Sequence, residues 1–92
     1  MSDDQDFDPE AVQGEYVYVA AANYLEARIR GGRIPAGGQL PGERALVEEL
    51  HVALGTVRRT IRELAERGLV KVLPAKGVFV LPEEEWPMDD AG

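Results

Sequence analysis

Ninety-two residues, 45% hydrophobic and 29% charged, suffice for one small core and no second one. The absence of cysteine excludes a disulfide framework, a thiolate metal site and a cysteine nucleophile. The acidic N-terminus lacks the basic-then-apolar order of a secretory signal, and no apolar run approaches the ~20 residues of a membrane span, so a soluble cytoplasmic protein is expected.

The formal net charge of −7 counts against nucleic acid as a partner, but the charge is segregated. All ten basic residues lie between positions 28 and 77, where five acids leave a net of +5. The flanks carry acids alone, and at a Debye length of ~8 Å flexible acidic ends would mask that middle segment only in part.

Residues 1–14 combine four aspartates, a proline and a glycine with few large apolar groups. They are expected to form an acidic, disordered lead-in, because burial cannot offset the entropy of ordering them. From Glu15 the apolar spacing becomes helical through Val17, Ala21, Tyr24, Leu25 and Ile29, and Gly31-Gly32 supplies a stop, which predicts a first helix over 15–30. Tyr16, Tyr18 and Tyr24 are read as core rather than as a partner surface, the commoner fate of aromatics on a short helix. The stretch 31–41, with four glycines and two prolines around Ile34 and Leu40, reads as an ordered connection pinned by two apolar anchors.

A second helix is predicted over 42–50, with Leu46, Val47 and Leu50 inward and Glu43 in the first turn, where it suits the helix dipole. Arg44 is the misfit: a cation there costs some tenths of a kcal/mol. Either a bound phosphate or pairing with Glu48 four residues on would relieve it. His51-Val52-Ala53 is a three-residue turn of helix-turn-helix length. His51, the only histidine, suits the left-handed residue that ends a helix better than a metal ligand or general base.

The third helix, predicted over 54–67 and stopped by Gly68, is two-faced. Val57, Ile61, Leu64 and Ala65 fall on one side, and Gly55, Thr56, Arg58, Arg59 and Arg62 on the other. Arg58 and Arg62 are four apart, a like-charge spacing that costs ~0.2–0.5 kcal/mol and points to an outside anion. Two runs of β-formers follow, 69–73 and 78–81, around Pro74-Ala75-Lys76-Gly77, predicting a hairpin with a cationic tip. A two-stranded ribbon is marginal alone, and Leu69, Val72 and Phe79 are expected to pack it onto the helices. The acidic tail 82–92 contains Trp86, either a loose aromatic or one that folds back.

In their order and spacing, Gly32, Ala36-Gly37, Leu40-Pro41-Gly42-Glu43-Arg44, Leu46, Val52, Thr56-Val57-Arg58, Leu64, Gly68-Leu69-Val70 and Gly77-Val78-Phe79-Val80 resemble the winged helix-turn-helix domain of GntR-family bacterial transcription regulators. The resemblance covers 29–80. It implies a mainly α fold of three helices with a small β-hairpin, spanning 15–81, and DNA contacts at Arg44, Thr56, Arg58 and the wing residues Lys76 and Gly77. Gly42 stands where the family usually has a capping serine, a weaker but acceptable cap. Leu54 stands where it commonly has a DNA-contacting arginine, so Arg59 or Arg62 is expected to substitute. Only the acidic tail follows the wing, so no small-molecule effector site and no standard dimer interface are inferred.

These readings combine into a sequence-specific DNA-binding transcriptional repressor, nucleoid-associated when bound. Helix three lies in the major groove and the wing reaches the neighbouring backbone or minor groove. A lone domain makes few phosphate contacts and binds weakly at physiological salt, so a homodimer on double-stranded DNA is expected. The expected site comprises Arg44, Gly55, Thr56, Arg58, Arg59, Arg62, Lys76 and Gly77, with no metal, cofactor or membrane partner. The alternative is a winged-helix protein-interaction module with acidic docking tails, in which Arg59 pairs with Glu63 and Arg62 with Glu66. Arg58, with Arg62 four residues on, has no such acidic partner in its helix. No nucleophile-base set or phosphate loop supports an enzyme.

Overall fold

The computed structural model describes residues 7–87. Three helices, α1 (Val17–Arg30), α2 (Glu43–Leu50) and α3 (Leu54–Glu66), precede an antiparallel hairpin of β1 (Val70–Leu73) and β2 (Gly77–Val80). Leu25, Ile29, Leu40, Leu46, Leu50, Val57, Leu64, Leu69, Val70 and Val80 are sealed at its centre, so all three helices and both strands contribute to one core. Among the described residues no helix is long and apolar enough to cross a membrane.

Local chemistry explains the helix ends. α1 starts two residues later than its apolar spacing suggests, because Tyr16 keeps an extended backbone and its carbonyl accepts from Val19 and Ala20. His51 takes the left-handed conformation (φ 57°, ψ 43°) and donates its N–H to Val47, closing α2 and turning the chain toward α3. Arg67 caps α3, after which Gly68 donates to Ala65 and Leu69 to Leu64, the paired bonds of a Schellman end with glycine at its left-handed position (φ 80°).

The hairpin pairs Val70 with Val80 and Leu73 with Gly77. Its tip is therefore Pro74-Ala75-Lys76, and Gly77 is the first residue of β2. The connection between α1 and α2 lies along the free edge of β2: Gly37 donates to Val80, Val80 to Gly38, and Leu40 to Val78. Ile34 and Leu40 are buried, as two anchors should be. A ribbon marginal as two strands thus gains a third, short partner.

Three expectations fail. Val72 is 51% exposed and lies in an open depression of about 300 Å³ between α3 and the hairpin, and Phe79 is half-buried outside the core; Leu69, Val70 and Val80 are buried in the core, with half-buried Val78 packed against it. Tyr16 is 75% exposed and stacks on Tyr18, so among the three tyrosines only Tyr24 packs against the core. Residues 7–14, expected within a disordered lead-in, dock on α1, because Phe7 is buried against the Tyr24 ring and Asp8 caps a short 3-10 turn over Pro9–Ala11. The rest of that lead-in, 1–6, lies outside the described residues. Trp86 folds back: its indole N–H donates to the Leu81 carbonyl at 2.8 Å, and Arg30 lies over its ring.

Candidate functional site

The outward side of α3 exists because its inward side is so completely used. Val57, Thr60, Ile61 and Leu64 are buried, and Thr60 satisfies its hydroxyl by donating to the Thr56 carbonyl at 2.8 Å. That leaves Gly55, Arg58, Arg59 and Arg62 exposed and Thr56 half-buried along the opposite face. Gly55 has open space where a Cβ would stand, so close backbone packing within the domain does not explain it.

Each arginine has a different setting. Arg58 donates from Nε and Nη2 to the two carboxylate oxygens of Glu43, at 3.0 and 3.2 Å, joining α3 to the first turn of α2. These hydrogen bonds hold the Glu43 carboxyl below its ordinary range and raise the Arg58 guanidinium above its own. Arg59 lies over the Tyr18 ring at 4.3 Å and donates to the Tyr18 hydroxyl, so α1 holds it. Arg62 makes no hydrogen bond or ion pair among the described residues.

Two pairing expectations are thereby corrected. Arg59 does not pair with Glu63, because Glu63 is taken by Arg67 at 2.9 Å and Arg59 by Tyr18, and Arg62 makes no ion pair with Glu66. Arg58, read from its helix as lacking an acidic partner, has one fifteen residues away in sequence. Arg44, exposed in the first turn of α2, makes no pair with Glu48.

Arg58 and Arg62 come together with Glu43 around the depression between α3 and the hairpin, where Ile61, Ala65, Val72 and Val78 form the apolar lining. Lys76 stands apart, exposed in the hairpin turn with its carbonyl accepting from Gln39 Nε2 at 3.2 Å. Gly77 is required by the fold: its φ is +123°, and a Cβ would collide with the Gln39 amide. Sequence reasoning missed Tyr18, Gln39 and Glu43 as supports of Arg59, the wing and Arg58. Lys71, exposed on β1 and also without an ion pair among the described residues, was missed as a wing cation.

Three helices with a hairpin behind the third form a winged helix-turn-helix. A model of the gntR family of bacterial regulatory proteins matches residues 17–80. The chain belongs to this family. Its members are transcription regulators built on a DNA-binding domain, not an enzyme class. Relatives of the gntR chain include the HTH-type transcriptional regulator SmoD of Agrobacterium fabrum, 33% identical over 70% of the chain and 27% of SmoD. Another is the uncharacterized HTH-type transcriptional regulator YieP of Escherichia coli, 36% identical over 83% of the chain and 33% of YieP. The chain thus spans about a third or less of these relatives. Among solved structures, a GntR family transcriptional regulator from Listeria monocytogenes superposes with a TM-score of 0.72 at 23% identity, over 79% of this chain and 64% of that one. The AraR DNA-binding domain, solved in complex with operator ORX1, does so with a TM-score of 0.67 at 25% identity, over 77% and 83%.

Proposed function

We propose that this chain is a sequence-specific transcriptional repressor that binds double-stranded DNA in the cytoplasm, with α3 in the major groove and the hairpin on the adjacent backbone or minor groove. The observation that carries the reading is the outward face of α3, where Thr56, Arg58, Arg59 and Arg62 stand over a helix whose other face is fully consumed by the core. Residues at the N-terminal end of such a helix meet base edges, and flanking cations meet phosphates. Thr56 and Arg58 are assigned to bases; Arg44, Arg59, Arg62 and Lys76 are assigned to phosphates or, for Lys76, the minor groove. Gly55 contributes by letting the backbone approach the duplex, and Gly77 by shaping the wing.

The protein-interaction alternative relied on neutralising Arg59 and Arg62 within α3, and those pairs are not made. Operator complexes of a fold neighbour add support by likeness. A dimer is part of the proposal, since a single domain with few phosphate contacts loses affinity steeply with salt. The test is selection of duplexes from a random pool by the whole chain, followed by fluorescence anisotropy on the enriched sequences. A palindromic motif is expected, and the absence of any enriched motif overturns the reading.

A further inference from the structure

Glu43 is an acid in the middle of a cationic face, which is an unfavourable place for a carboxylate if the face serves only to attract phosphate. Its geometry gives it another use. A guanidinium carries five N–H donors in a planar fork. Glu43 takes the side of that fork, Nε and one Nη2 proton, in a two-bond contact at 3.0 and 3.2 Å. The end of the fork, made by Nη1 and the second Nη2 proton, remains unused among the described residues. That end is the pair of donors that matches O6 and N7 of guanine in the major groove. A carboxylate bound side-on fixes the plane of the ring of donors and reduces the rotamer entropy lost on docking. The pair is exposed, at 59% for Arg58 and 45% for Glu43, so a base edge can reach it.

We propose that Glu43 is a positioning residue that aims Arg58 end-on at a guanine, and so sets the base preference at one position of the bound site. This rests on the DNA-binding reading above. It also predicts a sign that simple electrostatics does not. Removing a negative charge from a DNA-facing surface ought to tighten binding to every duplex. Removing a support for Arg58 instead loosens binding only where that guanine is present.

The experiment takes a duplex enriched from the random pool by the whole chain and replaces its guanines, one at a time, with 7-deazaguanine, which lacks the N7 acceptor. Anisotropy then compares the unaltered chain, Arg58→Ala and Glu43→Gln, with circular dichroism confirming that each is folded. The unaltered chain is expected to lose about tenfold in affinity at one guanine, within the range of a good bidentate contact. Arg58→Ala and Glu43→Gln are both expected to become insensitive at that same guanine. Glu43→Gln should also bind the enriched duplex about fivefold more weakly while holding or gaining affinity for an unrelated duplex.

Tighter binding of Glu43→Gln to every duplex, with guanine sensitivity intact, overturns the proposal and makes the carboxylate a competitor for Arg58. Loss of sensitivity at a different base from the one Arg58→Ala affects also overturns it, because Glu43 then reads that base itself. An enriched motif that Arg58→Ala binds as well as the unaltered chain removes this proposal alone. No enriched motif removes the DNA-binding reading with it.

Discussion

The two ends of α3 each place an arginine against glutamate, and they use the same chemistry for opposite purposes. At the C-terminal end Arg67 is 22% exposed and gathers Glu63, Glu26 and Asn23 within 2.9 Å, while Arg30 also binds Glu26. That network ties α3 to α1. Near the N-terminal end Arg58 is 59% exposed and has a single acidic partner among the described residues. Burial with several partners makes an arginine part of the fold, whereas exposure with one partner and unused donors makes it available to something outside.

The contrast can be broken from either side. Arg58→Ala is expected to weaken binding to a selected duplex by about 10- to 100-fold, within the range of a lost bidentate base contact, and to leave the thermal midpoint nearly unchanged. Equal affinity by anisotropy would remove Arg58 from the interface. Arg67→Ala is expected to do the reverse, lowering stability by about 1–3 kcal/mol in urea, since charged hydrogen bonds are lost at a half-buried site, with affinity retained below the transition. A smaller effect is expected for Lys76→Ala, which should reduce the slope of log affinity against log salt by about 0.9, one phosphate contact's worth. An unchanged slope would take the hairpin off the backbone.

The smallest effect is in acid. Partial burial pushes the Glu26 carboxyl up, and hydrogen bonds from Arg30 and Arg67 more than reverse this, leaving it below its ordinary value. A carboxylate depressed in the folded state contributes stability above its unfolded pKa and loses that contribution as pH falls through the folded one. Thermal melts from neutral pH downward should therefore show an acid limb that is shallower in Glu26→Gln. Identical limbs would mean the network contributes nothing titratable.

Features set by neighbours in the chain were readable in advance. Gly31-Gly32, His51 and Gly68 each mark a helix end because a left-handed or open residue is a local requirement, and the two faces of α3 follow from its 3.6-residue period. The supports of the site were not readable. Glu43 with Arg58, Tyr18 with Arg59 and Gln39 with Lys76 are separated by 15, 41 and 37 residues, so they come into being only with the tertiary fold. Counting charges four apart assigned Arg58 no partner and gave Arg59 and Arg62 partners they do not have. Phe7 was missed for a related reason: a single aromatic in an acidic stretch carries no periodicity, yet one ring against Tyr24 suffices to dock the segment.

The strap from Gly37 to Leu40 has a dynamic consequence. Because the amides of Gly37, Leu40 and Val80 donate across it, and Leu40 and Val80 are sealed into the core, the paired strands of the wing are expected to melt with the rest of the domain. The hydrogen-bonded amides of Leu40 and Val80 should exchange with deuterium at the pace of the whole domain. The Lys76 carbonyl accepts from Gln39 of the same strap, so the pitch of the turn is expected to follow the α1–α2 connection, and a residue inserted between Gly37 and Leu40 would re-aim it without touching the hairpin.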